Sequence, residues 1–200
     1  MSEHYYSEKP STVHDRQKFE ATLRGSKFSF ATDAGVFSKQ SIDYGSRVLI
    51  DHMAFPSDAK VLDVGCGYGP IGLTAAKLAP QGHVTMIDVN ERAVGLAKEN
   101  ARTNGIANVT VLQSDLFSAL GEERFDAILT NPPIRAGKDV VHRIYELSAE
   151  RLTPQGALWV VIQKKQGAPS TQDKLEQLFE CVEEVTKDKG YRIFKASKPK

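Results

Sequence analysis

Three alternating glycines follow a carboxylate at the end of an apolar run, at Asp63, Gly65, Gly67 and Gly69. Glycines at every second position remove side chains where a backbone must pass close to a ligand. The dinucleotide pattern G-x-G-x-x-G is the competing interpretation, but the spacing differs and Asp63 would lie near a pyrophosphate. A cofactor that has no phosphate and carries an ammonium group tolerates this carboxylate, and S-adenosylmethionine is such a cofactor. The alternative is that the glycines serve only a tight turn.

A second carboxylate, Asp88, closes the next apolar run and lies 25 positions after Asp63 (88 − 63 = 25). This separation leaves room for one helix and one strand. A carboxylate at the carboxyl end of the second strand of such a unit can accept both ribose hydroxyls of an adenosine-containing cofactor. The alternative is that Asp88, with Asn90, only caps the helix that follows.

A third carboxylate, Asp115, follows the apolar run at 109–112. It is placed to accept a hydrogen bond from an adenine amino group, and Leu116 can offer its amide to a ring nitrogen. The alternative is that Asp115 faces solvent. The three strand ends are expected to converge on one side of the sheet, where open α/β folds bind ligands.

The segment Asn131-Pro132-Pro133-Ile134 follows the fourth apolar run. The Asn131 side-chain carbonyl and the Pro132 backbone carbonyl can together receive both hydrogens of one NH2 group. This holds an exocyclic amine with its nitrogen facing a methyl donor, and such positioning can supply several kcal/mol, of a possible ~7 to 11. The chemistry indicated is methyl transfer to a planar nitrogen. The alternative is that the two prolines only end a strand.

The elements that must position these residues alternate between strands and helices. Predicted strands cover 61–64, 84–88, 109–112, 125–130 and 157–163, and predicted helices cover 71–78, 91–104, 138–151 and 171–179. Such alternation predicts an α/β fold with a mostly parallel sheet and right-handed crossovers. Two last strands, at 182–185 and 191–194 around a turn at 187–190, predict an antiparallel edge.

The first 54 residues have a different pattern, and we expect them to form an N-terminal extension to a domain spanning 55–200. Apolar residues alternate on both sides of Gly25-Ser26, which predicts a β-hairpin over about 18–31. A helix is predicted from about Ile42 to Met53. The extension is expected to act as a lid or to contact RNA, and nothing in residues 1–15 predicts ordered structure.

Composition limits the other classes of function. The chain has 200 residues, 40% of them hydrophobic, which is enough for one sizeable core. It has no apolar run near ~18 residues and no signal-peptide pattern, so we expect a cytoplasmic protein without a membrane partner. Its two cysteines and five histidines lack metal-ligand spacing, so no metal is expected.

Taken together, the motifs resemble those of the class I S-adenosylmethionine-dependent methyltransferases, over roughly residues 55–200. Asp63 and the three glycines match the family's first motif, Asp88 its second, Asp115 its third, and the segment 131–134 its fourth. More narrowly, segments 32–38, 42–46 and 152–159 resemble the small methyltransferase-domain group that includes the ribosomal small-subunit RNA guanine-N2 methyltransferases. The resemblance implies a Rossmann-like fold, S-adenosylmethionine as cofactor, and ribosomal RNA or the small ribosomal subunit as partner. It also implies that Phe37 is a lid residue.

The predicted site has three parts. The catalytic residues are Asn131, Pro132, Pro133 and Ile134; the cofactor-binding residues are Asp63, Gly65, Gly67, Gly69, Asp88, Val89, Asp115, Leu116, Asn131 and Phe37; the substrate-binding residues are Arg135 and Lys138. Arg135 and Lys138 are included because they lie within seven residues of Asn131 and can attract phosphates.

The predicted function is methyl transfer to guanine N2 of small-subunit ribosomal RNA, and two alternatives stay open. Many amine methyltransferases have an aromatic residue that stacks on the target base at the position of Ile134, so the identity of the target is not fixed by this motif. The alternatives are a protein glutamine N5-methyltransferase and a non-catalytic RNA-binding ribosome-assembly factor. The sequence does not distinguish a monomer from a homodimer.

Overall fold

The computed structural model describes residues 7–38 and 40–200 of the chain. The strands are β1 (Gln17–Leu23), β2 (Ser26–Thr32), β3 (Lys60–Val64), β4 (His83–Asp88), β5 (Val109–Gln113), β6 (Phe125–Thr130), β7 (Leu152–Gln163), β8 (Phe179–Asp188) and β9 (Tyr191–Pro199). The helices are α1 (Tyr44–His52), α2 (Pro70–Leu78), α3 (Glu91–Thr103), α4 (Lys138–Arg151) and α5 (Ala168–Leu178).

Seven strands form one sheet in the order β5-β4-β3-β6-β7-β9-β8. The pairs β5-β4, β4-β3, β3-β6 and β6-β7 are parallel, whereas β9 runs antiparallel to both β7 and β8. The predicted Rossmann-like α/β class with an antiparallel edge is therefore confirmed. The strand order reverses beside β3, so the loops after β3 and β6 lie on either side of the crevice where such sheets bind ligands.

Apolar side chains cover both faces of this sheet, as expected for parallel strands buried on both sides. On one face, α1, α2, α3 and the hairpin pack against residues such as Val61, Val84 and Trp159. On the other face, α4 and α5 pack against residues such as Leu62 and Ile128. The core is continuous from the N-terminal hairpin to the sheet.

The predicted hairpin is present as β1 and β2, which pair antiparallel from Gln17 opposite Thr32 to Leu23 opposite Ser26. Two asparagines hold the other edge of β2: Asn100 of α3 and Asn104, the C-cap of that helix. Asn100 accepts a hydrogen bond from the Ala31 amide (2.8 Å) and donates to the Ala31 carbonyl (3.0 Å). Asn104 does the same for Ser29, at 2.9 Å in both directions. The hairpin is thus fixed to the helix by side-chain amides.

Several predicted bounds are too short. β7 begins at Leu152, five residues before the predicted start, because the strand continues past Pro154 through an irregularity opposite Phe125. α5 begins at Ala168 instead of 171, since Pro169 lies at a helix position where a missing amide costs nothing. β8 and β9 are also longer than predicted, because they pair along most of their length at the sheet edge.

Contrary to expectation, residues 8–15 pack across the start of α3. The Glu91 amide donates to the Glu8 carbonyl, and the Arg92 guanidinium donates to the Thr12 carbonyl at 2.9 Å. The Asp15 amide donates to the buried carboxylate of Asp33 at 2.7 Å. The expectation of no ordered structure in residues 1–6 concerns residues that lie outside the described ranges. The same holds for His4, one of the five histidines for which no metal-binding role is expected. Within the described ranges, no helix is long and apolar enough to cross a membrane.

Candidate active site

A cavity of about 350 Å³ opens at the carboxyl ends of β3, β4, β5 and β6. Its volume lies within the range of small-molecule sites. Ten of the residues predicted for the site line it: Phe37, Gly65, Gly67, Asp88, Val89, Asp115, Leu116, Asn131, Pro132 and Pro133. The structure therefore brings together residues from four strand ends and from the loop that precedes α1.

The glycine loop forms one wall of this cavity. Gly65 and Gly67 have positive φ angles, +72° and +56°, and a Cβ atom on either would meet no protein atom within 4 Å. Both glycines therefore leave open a space beside the backbone that a ligand can occupy. Gly69 does not line the cavity. It precedes α2, and a Cβ atom there would lie 3.1 Å from Leu73 and from Met86, so this glycine permits close packing.

Asp88 connects the second strand end to the glycine loop. One carboxylate oxygen accepts from the Gly67 amide (2.8 Å) and the other from the Asn90 amide (2.9 Å). Burial raises the pKa of this carboxyl, and the backbone amides partly oppose that shift. The side chain that caps α3 is that of Asn90, which accepts from the Arg92 and Ala93 amides. Asp88 is therefore not needed as the cap, and it faces the cavity.

The third strand end presents Asp115 and Leu116 to the cavity. Leu116 has a φ of 49°, a left-handed conformation that costs a non-glycine residue of order 1 to 3 kcal/mol. Ser114 holds this turn, because its hydroxyl donates to the Leu116 carbonyl (2.7 Å) and accepts from the Ala119 amide (3.0 Å). The strained backbone orients the Asp115-Leu116 peptide at the cavity wall.

The fourth strand end presents Asn131 in a defined orientation. Its side-chain nitrogen donates to the Asp43 carboxylate and to the Ser46 hydroxyl, at 3.0 Å each. Both contacts use the NH2 group, and no donor among the described residues reaches the side-chain carbonyl oxygen. The Pro133 carbonyl accepts from Ala136, but no donor within the described chain reaches the Pro132 carbonyl. Two acceptors are therefore available beside the cavity.

Asp63 is placed differently from the other predicted cofactor residues. Its side chain is fully buried and does not line the cavity. Neither carboxylate oxygen makes a hydrogen bond of normal geometry with the described residues. Burial raises the pKa of this carboxyl to about 7, and the nearby Gly72 amide opposes only part of that shift. Asp63 lies behind the glycine loop, against α2 and Met86. A direct contact between Asp63 and a cofactor stays a prediction.

Three predicted residues, Ile134, Arg135 and Lys138, do not line the main cavity. Ile134 begins a 3₁₀ turn, and with Lys138 it lines a second, smaller cavity of about 130 Å³ between α4, α5 and the end of β7. Arg135 and Lys138 are exposed. Phe37 is at the mouth of the main cavity and is 41% exposed, an unusual fraction for a large apolar side chain in this structure.

Sequence reasoning did not assign Asp43 and Ser46, which also line the cavity. Asp43 is the N-cap of α1 and accepts from the Ser46 amide at 3.0 Å. The capping signal was readable in the sequence, but its contact with Asn131 joins residues 88 positions apart. Across the part of the chain that the structure describes, no cluster of three or more metal-ligating side chains is present.

The chain is similar to proteins named as ribosomal RNA methyltransferases. It is 34% identical over 173 residues to "Ribosomal RNA large subunit methyltransferase G" of Pseudomonas putida (strain W619), covering 82% of this chain and 45% of that protein. It is 30% identical over 184 residues to "Ribosomal RNA small subunit methyltransferase C" of Escherichia coli O1:K1 / APEC, covering 90% and 53%. The chain thus spans about half the length of these relatives.

Two further similarities cover most of the chain. A Bacillus subtilis (strain 168) protein named "Uncharacterized protein YbxB" is 58% identical over 200 residues, covering 99% of this chain and 100% of that protein. The solved structure of the T. thermophilus 16S rRNA N2 G1207 methyltransferase (RsmC), in complex with AdoMet and guanosine, matches with a TM-score of 0.81 at 26% identity. That match covers 94% of this chain and 52% of the other.

A family model described as "Methyltransferase small domain" matches residues 27–195, which include β2, α1 and the whole seven-stranded sheet. This match and the similarities above confirm the predicted enzyme class and its cofactor, S-adenosylmethionine. The chain belongs to the methyltransferase small domain family of S-adenosylmethionine-dependent methyltransferases.

Proposed function

We propose that this chain methylates an exocyclic amine of ribosomal RNA, and that the amine is N2 of a guanine in the small subunit. The observation that carries the proposal is the orientation of Asn131. Its NH2 group is occupied by Asp43 and Ser46, so its carbonyl oxygen is free to accept a hydrogen from a substrate amine. An opposite orientation of this amide would present a donor, which would repel an NH2 group.

The chemistry follows from two neutral acceptors. The Asn131 side-chain carbonyl and the Pro132 carbonyl each take one hydrogen of the NH2 group, which favours a pyramidal nitrogen whose lone pair is less delocalised into the base. S-adenosylmethionine, when bound, supplies an electrophilic methyl group. The contribution of these residues is to hold the amine in line with that methyl group. As the N–C bond forms and the sulfonium C–S bond breaks, the surplus proton of the amine passes to solvent, so no residue needs to change charge.

The cofactor-binding roles are part of the proposal. Asp88 accepts from the ribose hydroxyls, Asp115 from the adenine amino group, and the Leu116 amide donates to a ring nitrogen. The open space beside Gly65 and Gly67 fits a ligand that lies against the loop backbone. In this arrangement Val89 and Phe37 line the adenosine part of the site, whereas Asp63 and Gly69 support the loop from behind.

The substrate side of the proposal rests on the exposed cations and on the relatives. Arg135 and Lys138 follow the Asn131 loop directly and have no ion-pair partner among the described residues, so they are available to RNA phosphates. One relative is named for the large ribosomal subunit and another for the small subunit. The solved structure that matches with a TM-score of 0.81 is named for N2 of a guanine in 16S rRNA. The segment between the hairpin and α1, within residues 1–54, supplies Phe37 and Asp43 and fits a lid for this site.

The test is transfer of labelled methyl from S-adenosylmethionine to ribosomal material taken from cells that lack this gene. The four substrates tested are free small-subunit RNA, free large-subunit RNA and the two assembled subunits. The labelled nucleoside is then identified. Label in N2-methylguanosine of the small subunit is expected. Label confined to the large subunit, to another nucleoside, or to protein would contradict the proposed target.

Asn131→Ala separates a catalytic role from a structural one. It should abolish transfer and leave the affinity for S-adenosylhomocysteine nearly unchanged, because the lost carbonyl is the acceptor for the amine, whereas the cofactor keeps its proposed contacts with Asp88, Asp115 and Leu116. Equal loss of transfer and of cofactor affinity would indicate that Asn131 only supports the fold. RNA binding without any methyl incorporation by the unaltered chain would favour a non-catalytic assembly factor.

A further inference from the structure

Among the described residues, Asp43 uses only one of its two carboxylate oxygens as a hydrogen-bond acceptor. Oδ2 accepts from the Ser46 amide (3.0 Å), from the Ser46 hydroxyl (3.5 Å) and from the Asn131 side-chain nitrogen (3.0 Å). Oδ1 has no hydrogen-bond partner among the described residues. Asp43 is partly exposed and lines the main cavity next to Asn131.

The wall of the cavity therefore carries three acceptors that have no hydrogen-bond partner among the described residues. They are the Asp43 Oδ1 oxygen, the Asn131 side-chain carbonyl and the Pro132 carbonyl. The Asn131 amide nitrogen is already used by Asp43 and Ser46. A ligand that pairs with all three acceptors at once must present three hydrogens.

Guanine is the base whose Watson–Crick edge has this pattern, because its ring N1–H lies next to its 2-amino group. Adenine presents an acceptor at N1, and a carboxylate facing it would be repelled. A glutamine side-chain amide has an NH2 group but no adjacent ring N–H. The surplus carboxylate oxygen thus distinguishes guanine from the other amine substrates.

We propose that Asp43 determines the specificity of this enzyme for guanine: one oxygen orients the Asn131 amide, and the other accepts the N1–H of the base. The inference rests on the proposed function and names the contact that selects its substrate. A charge-assisted hydrogen bond of this kind should favour guanine over a base lacking N1–H by roughly ten- to a hundredfold.

Asp43→Asn is the informative variant, because asparagine is as good an N-cap as aspartate and α1 should be retained. To keep its bonds to Ser46 and Asn131, the new amide must place its oxygen at the Oδ2 position. Its NH2 group then faces the cavity as a donor. The variant should lose the preference for N1–H and accept a base with a lone pair at N1.

The experiment measures binding of three nucleosides to the chain saturated with S-adenosylhomocysteine, by NMR titration. Guanosine has both N1–H and the 2-amino group, inosine has only N1–H, and 2-aminopurine riboside has only the 2-amino group. The unaltered chain should bind guanosine ten- to a hundredfold tighter than 2-aminopurine riboside. Asp43→Asn should abolish or invert that ratio while the affinity for S-adenosylhomocysteine changes little.

Ser46→Ala is the matched control, because it removes the hydroxyl that accepts from Asn131 and leaves the Asp43 carboxylate in place. It should lower the rate of methyl transfer and keep the preference for guanosine over 2-aminopurine riboside. A structural role of Asp43, limited to holding α1 and Asn131, would instead make the two variants behave alike.

The outcomes separate this inference from the proposed function. If methyl transfer yields N2-methylguanosine but the unaltered chain shows no preference for guanosine, or Asp43→Asn keeps it, Asp43 does not select the base and the proposed function stands. If methyl transfer labels a different nucleoside or a protein, the proposed function falls and this inference falls with it.

Discussion

Gly72 of α2 lies so close to Asp63 of β3 that a Cβ atom at residue 72 would be 2.8 Å from the Asp63 carboxylate. The helix backbone therefore presses directly on a buried acid that makes no hydrogen bond of normal geometry with the described residues. An acid in this environment is stable mainly when it is protonated. The protonation of Asp63 and the packing of α2 are thus linked, and each can be tested by substitution.

Asp63 should make the stability of the chain depend on pH. Burial raises the pKa of its carboxyl to about 7, above the value of 3.8 for an unperturbed aspartate. The folded state thus favours the protonated acid: its contribution to stability is full below pH ~4 and is lost as the pH rises through about 7. From pH 5 to pH 8, the free energy of unfolding of Asp63→Asn should rise by about 3 kcal/mol relative to that of the unaltered chain.

Urea unfolding followed by the fluorescence of Trp159, the only tryptophan, measures this difference. Asp126→Asn provides the comparison, because Asp126 is at the other end of the sheet and accepts from the Lys60 amide. A gap between Asp63→Asn and the unaltered chain that stays constant with pH would show that Asp63 does not titrate in this range.

Gly72→Ala should destabilise the chain, although alanine forms helices better than glycine by up to ~1 kcal/mol. The added methyl group would lie 2.7 Å from Met86 Cγ as well as 2.8 Å from Asp63, so β3, β4 or α2 must shift. Overpacking of this kind costs about 1 to 3 kcal/mol. Gly95→Ala on α3 is the matched control, since a Cβ there meets nothing within 4 Å, and it should be neutral or stabilising. Thermal unfolding of both variants decides the matter.

Asp88 and Asn90 should have separable roles in cofactor binding and in helix capping. Asp88→Ala should weaken binding of S-adenosylhomocysteine at least tenfold, because it removes the proposed ribose acceptor and the anchor of the Gly67 amide. Asn90→Ala should cost about 1 kcal/mol of stability through the lost cap of α3, with a smaller effect on affinity. Calorimetric titration and thermal unfolding of both variants give the two readouts. Equal losses of affinity would argue that Asp88 acts only through the helix.

Lys138 should contribute one phosphate contact to RNA binding. Lys138→Gln is expected to reduce the slope of log affinity against log salt by about 1, because each neutralised phosphate releases counterions. The control is Lys60→Gln, an exposed lysine at the amino end of β3, opposite the cavity. Filter binding of small-subunit RNA across a range of salt concentrations measures both slopes. An identical slope for Lys138→Gln and the unaltered chain would place the RNA elsewhere.

The strand ends were predictable because local signals mark them. Apolar runs followed by Asp88, Asp115 and the prolines after Asn131 each combine a buried strand with residues that stop it, and the structure places all of these at one cavity. The arrangement of these strands in a parallel sheet then follows from the rules for crossover connections.

Other parts of the site could not be predicted in this way because they depend on contacts far apart in the sequence. Asp43 and Ser46 meet Asn131 across 88 and 85 positions. The spacing of Asp63 matched a binding motif but does not show that its side chain is fully buried against α2 and that the next residue, Val64, lines the cavity. Likewise, residues 8–15 carry no pattern of their own and are ordered by hydrogen bonds to Arg92 and Asp33.

The pairing of Asn100 and Asn104 with β2 also bears on how this molecule stays apart from its own copies. A two-stranded hairpin has a free edge on each strand, and such edges recruit strands from other molecules. On β2 the backbone groups of Ser29 and Ala31 are already bonded to the two asparagine side chains. The helix thus occupies the position of a third strand and protects the hairpin from edge-to-edge aggregation along β2.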